Sequence, residues 1–237
     1  MELYDGIKYN IKGVALSLKT PKLLMLGISR FIIVLFFTLI ISGLVLYWHD
    51  EILTYIWKMP ESGWLIYLWK LVSWILSVFL AGVAMVLSYL IAQLFFCVFI
   101  MDYMSRMTEQ IILGKEVPIE QGSWVSLFFY LIKQEIPRAI IPVIISLVIM
   151  ALGLLTPISP IIIIISSITA AVFLAWDNTD LIPARRMKPF NARIKFLRTH
   201  LMFHIGFGLL FLIPGLNILF LSFAPVGATL YYIDREQ

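Results

Sequence analysis

Apolar residues occur in long blocks along the chain, separated by short polar segments. The first block runs from residue 27 to 48, about 22 residues in which Arg30 is the one charge. A helix of that length crosses a hydrocarbon core of roughly 30 Å. The second block, residues 63 to 101, contains Lys70 and no proline. It predicts one helix longer than a bilayer, which we favour, or two shorter spans that break near Gly82.

Two later apolar blocks each contain a turn without charge. Residues 136–176 are divided by Thr156-Pro157-Ile158-Ser159-Pro160, and residues 201–233 by Ile213-Pro214-Gly215-Leu216-Asn217. The arms of the second block have about 12 and 16 residues, or roughly 18 and 24 Å of helix, less than a comfortable crossing. We therefore predict hairpins that enter and leave the membrane on one side. Two full crossings in each block would return the chain to that same side.

Residues 4–20 have the pattern of an amphipathic helix that lies on a membrane surface, with lysines between its apolar positions. These positions are Tyr4, Ile7, Ile11, Val14, Ala15 and Leu18. The predicted fold class is therefore an all-α integral membrane protein. It has two long transmembrane helices, two hemi-penetrating helical hairpins and an N-terminal amphipathic helix, in a single domain over residues 1–237.

The amino-acid composition argues against a soluble globular protein. Apolar residues are 61% of the 237 and charged residues 14%, with a mean hydropathy of +0.96, so a water-facing surface cannot be assembled. The lipid bilayer is the expected solvent. The single cysteine, Cys97, lies in an apolar run, which excludes disulfides and cysteine-based metal sites within one chain.

The positions of the charges predict the topology. Two segments are basic and should be cytoplasmic by the positive-inside rule. They contain Lys8, Lys12, Lys19, Lys22 and Arg30 in the first, and Arg185, Arg186, Lys188, Arg193, Lys195 and Arg198 in the second. The connection from His49 to Gly63 holds three acidic residues against Lys58 alone. We expect it to face the periplasm or exterior.

Charges at membrane depth are costly unless paired or hydrated, and they are the candidates for a polar path. They are Arg30, Glu135, Arg138, Asp177 and Asp180. Gly27-Ile28-Ser29-Arg30 combines a glycine, a hydroxyl and a guanidinium at a predicted helix start, where free N–H groups and the helix dipole favour an oxyanion. The alternative for Arg30 is an anchor whose guanidinium reaches the cytoplasmic interface.

Pro137 predicts a corner between two helices, with Arg138 in the first turn of the second helix. Arg138 is either part of that interfacial corner or lies in a permeation path with Glu135 as its counter-charge. Asp177, Asp180, Arg185 and Arg186 predict a solvated cytoplasmic elbow held by salt bridges, with a structural role.

Enzyme chemistry is disfavoured by the motifs. The sequence has no glycine-rich phosphate loop, zincin motif, nucleophile elbow or haem-attachment pair. His200 and His204 share a helix face, which alone is weak support for a metal site. We therefore expect no catalytic residue, no metal, no cofactor and no nucleic-acid partner.

Several segments resemble the CysZ sulfate permease family, which shares a domain with the eukaryotic etoposide-induced proteins. The closest likeness is in the last sixty residues, about a quarter of the chain, and the order of features fits throughout. The segments are Ile213-Pro214-Gly215-Leu216-Asn217, Phe223-Ala224-Pro225-Val226-Gly227-Ala228-Thr229 with Asp234, the loop residues Asp180, Pro183, Arg185, Arg186 and Phe190, the pair Phe207-Gly208, and Pro137-Arg138.

The resemblance implies two crossing helices, two hemi-penetrating hairpins and sulfate uptake for cysteine synthesis at a bacterial inner membrane. It also implies a sulfate-binding motif of glycine, an apolar residue, two arginines and phenylalanine. That motif corresponds to Gly27, Ile28, Ser29, Arg30 and Phe31. Ser29 replaces the first arginine, so we expect weaker sulfate affinity or altered anion specificity.

The predicted function is that of a multi-pass sulfate permease or channel-like uptake protein, with sulfate as ligand and a homo-oligomeric state. The first alternative is a membrane scaffold or assembly factor of the same fold, which would transport nothing and purify with a stable partner. An enzyme acting on lipid is a third class, and it requires a pocket that joins His200, His204 and an acidic side chain.

Overall fold

The computed structural model describes residues 1–58, 60, 63–114 and 159–236, and single positions between 129 and 153. These positions are 129, 133, 136, 138, 140–142, 144, 145, 148, 149, 152 and 153. Glu135 and the predicted turn at 156–158 lie outside the described residues.

Every regular element in the described residues is helical, which confirms the all-α class. The α-helices are α1 Glu2–Lys19, α2 Pro21–Tyr47, α3 His49–Ile56, α4 Gly63–Ala92, α5 Val98–Leu113, α6 Ser159–Thr179, α7 Leu181–Arg185, α8 Phe190–Thr199, α9 Leu201–Leu209 and α10 Leu216–Glu236.

Four helical segments in this part of the chain are long and apolar enough to cross a membrane. They are Pro21–Tyr47, Gly63–Leu113, Pro160–Thr179 and Leu216–Arg235. The second confirms the prediction of one long helix, because it continues past Gly82 and includes a π-helical turn at Gln93–Cys97. It ends at Gly114, whose φ of 63° is a left-handed conformation that glycine adopts without strain.

The second predicted hairpin is a helix–turn–helix. Its first arm is α9 followed by a 3₁₀ turn at Leu210–Leu212, and the chain reverses at Gly215, whose φ is 82°. The second arm, α10, has 21 residues where the sequence predicted about 16. The argument from length for a half crossing therefore holds for the first arm and not for α10.

The described chain divides into two compact units. Unit 1 contains residues 1–31 and 97–237, and unit 2 contains residues 32–96. In unit 2 the Ser77 hydroxyl and the Nε2 atom of His49 are 2.7 Å apart, and the Trp69 indole N–H donates to the Trp57 carbonyl. Large apolar side chains of this unit are exposed, including Leu39, Leu46, Tyr67, Trp74 and Phe79. Such a surface is suited to lipid.

Aromatic side chains form the centre of unit 1, where α6, α9 and α10 meet. Phe203 stacks on Tyr231 with ring centroids 3.6 Å apart, and Phe207 packs against Phe211. Ala175 is fully buried in the same cluster. Burial of these rings away from both water and lipid gives unit 1 a compact interior.

The first helix packs into this unit through glycine contacts. A Cβ atom on Gly206 would lie 1.9 Å from the Leu3 carbonyl oxygen, and one on Gly13 would lie 2.4 Å from the Gly227 nitrogen. Asn10 donates to the Phe207 carbonyl at 2.8 Å. Small side chains therefore let the backbones of α1, α9 and α10 approach closely, as in membrane helix pairs.

The segment predicted to form an amphipathic helix is helical, as α1, and part of its surface packs into unit 1. Val14 packs in the core of unit 1 and is 8% exposed, whereas Tyr4, Ile11 and Leu18 are exposed by half or more. The buried residues of α1 are Gly6, Asn10, Gly13, Val14 and Ser17, whereas several of its large apolar residues are exposed. Its position on the membrane surface remains a prediction.

Replacing Gly206 with alanine should destabilise unit 1, because the new methyl group would press on the backbone of α1 and force the helices apart. We expect a loss of about 1–3 kcal/mol, as for other overpacked positions. Thermal unfolding of the purified protein followed by size-exclusion chromatography measures it. Gly43→Ala is the matched control, since nothing lies within 4 Å of its Cβ position. Equal melting temperatures for the two variants would contradict the close approach.

Candidate functional site

The predicted anion-binding segment lies inside a helix and not at its start. α2 begins at Pro21, and the Leu24 amide already donates to the Thr20 carbonyl at 3.0 Å. The amides of Gly27 to Arg30 are therefore within the hydrogen-bonded ladder of α2. The expectation that free N–H groups at this segment would bind an oxyanion is wrong. Any anion site here must be built from side chains.

Arg30 is buried against α10, where a proline has freed a carbonyl group. Pro225 lies inside α10 and has no N–H, so the carbonyl of Leu221, four residues earlier, lacks its helical donor. The Arg30 Nη1 atom donates to that Leu221 oxygen at 2.7 Å. Arg30 thus replaces the missing hydrogen bond and is held with 4% exposure.

The other residues of the segment are positioned differently. Gly27 packs on the Phe223 ring, and a Cβ atom there would lie 2.1 Å from a ring carbon. Ile28 is 47% exposed, and the exposed Ser29 hydroxyl donates to the Met25 carbonyl of its own helix. The structure therefore brings Gly27 and Arg30 together with the segment 221–225 of α10, and it leaves Ile28 and Ser29 on the outer face.

Arg138 and two aspartates form a buried cluster with Arg193, which we call the α6 cluster. The Nε atom of Arg138 lies 3.0 Å from the Asp177 carboxylate, and its Nη1 atom lies 3.7 Å from Asp180. Asp180 also accepts two hydrogen bonds from Arg193 through Nε and Nη2. Burial raises the pKa of Asp180, and the hydrogen bond from Arg193 and the charge of Arg138 oppose that rise.

A second buried cluster joins α5 to α7 and α10, and we call it the α5 cluster. Arg185 donates to Asp102 at 2.8 Å and also to Glu109, while Arg106 donates to Asp102 at 2.7 Å. The Thr229 hydroxyl donates to Ser105 in the same cluster. The charge-assisted hydrogen bonds of Arg185 link α7 to α5.

The predicted solvated elbow is wrong, because its charges are mostly buried and form ion pairs with residues outside it. Asp177, Asp180 and Arg185 are each 7% exposed or less, and only Arg186 of the four is exposed. Arg186 lies 3.5 Å from Glu109. The sequence does not indicate this burial, because Arg138, which pairs with Asp177, and the α5 carboxylates that pair with Arg185 are distant in sequence.

Sequence reasoning missed Asp102, Glu109 and Arg193. The first two are seven residues apart, so they lie on one face of α5. That spacing was the available signal. Arg193 lies in a basic segment, where nothing in the sequence distinguishes it from its exposed neighbours Lys195 and Arg198.

The two histidines have separate partners. The Nδ1 atom of His200 lies 3.0 Å from Glu2, which also accepts from Arg235. His204 is fully buried, with Nε2 2.9 Å from the Thr179 hydroxyl and Nδ1 2.7 Å from the His200 carbonyl. Both ring nitrogens of His204 are therefore engaged by other groups of the protein.

Long apolar helices with arginine–carboxylate clusters buried between them define this chain as a multi-pass helical membrane protein. Residues 9–222 match the family described as Sulfate transporter CysZ/Etoposide-induced protein 2.4, and the chain belongs to that family. Among curated proteins, none matches the chain.

Replacing Arg193 with methionine should destabilise the protein strongly, because it leaves Asp180 buried with one arginine fewer. Removing one partner of a buried pair costs about 3–5 kcal/mol. Detergent-solubilised protein would show a lower melting temperature by intrinsic fluorescence. Arg198→Met on the exposed side of the same helix is the control and should change little. A loss of equal size in both variants would argue against a special role for the α6 cluster.

Proposed function

We propose that this protein transports sulfate across a membrane and that Arg30 forms the centre of the sulfate site. The family description supports sulfate as the substrate class. The structural support is that the Arg30 side chain is buried and donates to a carbonyl oxygen. Gly27 would let Phe223 pack beside it, and Ile28 and Ser29 would form the outer edge of the site.

The observation that carries the proposal is a difference among the buried arginines. In the described part of the chain these are Arg30, Arg138, Arg185 and Arg193. The last three each lie within 4 Å of a carboxylate, whereas Arg30 contacts only a carbonyl oxygen there. A buried cation without a carboxylate is costly, and a bound anion would compensate its charge. The guanidinium keeps further N–H donors for a tetrahedral dianion.

We place the permeation route next to Arg138, with Glu135 as an additional counter-charge. Because Asp177 and Asp180 already pair with Arg138, a passing sulfate would exchange with carboxylates and so bind weakly enough to leave. The tips of the two hairpins would line this route, since non-helical backbone at membrane depth requires protein or water around it.

The setting we propose is a bacterial inner membrane, where sulfate uptake supplies cysteine synthesis. The basic segments 8–30 and 185–198 would face the cytoplasm. A homo-oligomer is part of the proposal, and the exposed apolar surface of unit 2 is where a second copy would have room to pack. Mass measurement of the protein in detergent tests the oligomeric state.

The Arg30→Gln variant should bind sulfate at least about tenfold more weakly, because it loses a charge-assisted interaction in a buried site. Radiolabelled sulfate uptake into liposomes containing the purified protein should fall in parallel. Lys22→Gln removes the same charge from an exposed position of α2 and should leave both values near those of the parent. Because Arg30 also caps Leu221, melting temperatures must be compared, and Arg30→Lys should keep much of the stability.

Two results would overturn the proposal. Sulfate binding by Arg30→Gln equal to that of the parent removes Arg30 from the site. A folded parent protein that gives no flux above empty liposomes, and that purifies with a stable partner chain, favours the scaffold alternative.

Restoring the family's first arginine with Ser29→Arg should raise sulfate affinity. The exposed position of Ser29 on α2 gives the longer side chain room, and a second guanidinium doubles the positive charge beside Arg30. Isothermal titration with sulfate and with selenate measures affinity and selectivity. Ser29→Gln, of similar length and no charge, is the control. If both variants bind as the parent does, position 29 does not contact the anion.

A further inference from the structure

Unit 1 contains a cavity of about 350 Å³ that lies between the segment 183–196 and the end of α10. It is separate in sequence and in lining from the Arg30 segment. Its walls are partly aromatic and partly basic. The lining residues are Pro183, Lys188, Ala192, Arg193, Phe196, Tyr231, Tyr232 and Arg235.

Among the cations that line this cavity, Lys188 has the charge that nearby carboxylates compensate least. Arg193 is held by Asp180, and Arg235 is shared with Glu2. The Lys188 ammonium donates to the Tyr232 hydroxyl at 2.7 Å, and in the described residues no carboxylate lies within 4 Å of it. Three cations thus line the cavity, and the two carboxylates that contact Arg193 and Arg235 are outside its lining.

Tyr231 supplies a second, independent observation. Its ring stacks on Phe203, and its side chain lines the cavity with only 4% exposure. The buried Tyr231 hydroxyl has no hydrogen-bond partner in the part of the chain that the structure describes. A buried hydroxyl normally has a partner, because leaving it without one costs free energy. A ligand oxygen in the cavity would supply that partner.

We propose that this cavity binds a tetrahedral oxyanion, either the phosphate of an anionic lipid headgroup or a free ion of the same shape. Lys188 would neutralise it, Arg235 would contribute a second cation, and the Tyr231 hydroxyl would donate a hydrogen bond to it. Basic and aromatic pockets at the cytoplasmic end of membrane helices are suited to such headgroups. This site shares no residue with the proposed sulfate site at Arg30, so either can fail without the other.

The test uses the full-length protein and four variants. Lys188→Gln and Tyr231→Phe change the cavity, while Lys195→Gln and Tyr103→Phe make the same chemical changes at exposed positions outside it. Binding is measured to vesicles of phosphatidylglycerol and of phosphatidylcholine, and by titration with inorganic phosphate and sulfate in detergent. We expect the parent to prefer an anionic probe, and Lys188→Gln to weaken that binding about tenfold.

The two sources of the oxyanion give different results. Preference for phosphatidylglycerol that is lost in Lys188→Gln and reduced in Tyr231→Phe, with no binding of inorganic ions, supports a lipid headgroup. Binding of phosphate or sulfate in detergent with the same dependence on both residues supports a free ion. If the two cavity variants match their controls with every probe, the proposal is overturned. The same holds if all four variants weaken binding equally.

Discussion

Burial of positive charge is the constraint on which unit 1 depends. An arginine taken out of water must find a negative partner or an equivalent set of acceptors, since the cost of leaving it alone exceeds most packing gains. Arg185 meets this requirement through Asp102 and Glu109, and Arg193 meets it through Asp180. The two Arg185 pairs join segments that are 83 and 76 residues apart in sequence. Arg30 differs from these arginines because its acceptor is a neutral carbonyl, and this difference is the basis of the anion site that we propose there.

Much of the fold could be predicted from apolar lengths alone. The block that follows residue 63 was expected to form one long helix because it lacks proline, and it does so. The turn at Gly215 was expected from its Pro-Gly pair. Helix limits were less predictable, since α2 begins at Pro21, six residues before the apolar block from which it was predicted. The α-helical ladder does not require apolar residues, so helices extend past the apolar block.

The partners of the buried charges could not be predicted, because they are set by packing between distant segments. Arg30 and Leu221 are 191 residues apart. Their contact depends on Pro225. In the sequence, this proline is notable only as part of a segment that resembles the CysZ family. The elbow at Asp180 was interpreted as solvated for the same reason: its ion pair with Arg138 depends on a packing that a single sequence does not reveal. The charged residues can be read from the sequence, but the tertiary fold determines which of them are buried.

The glycine contacts of α1 have a consequence for the order of assembly. The ribosome makes α1 before its partners Gly206 and Gly227, which follow it by some two hundred residues. Until α9 and α10 emerge, the Asn10 amide and the small face of α1 have nothing to dock on. The packing of α1 into unit 1 therefore comes after the synthesis of α9 and α10. An element near one end of the sequence is thus completed by elements near the other.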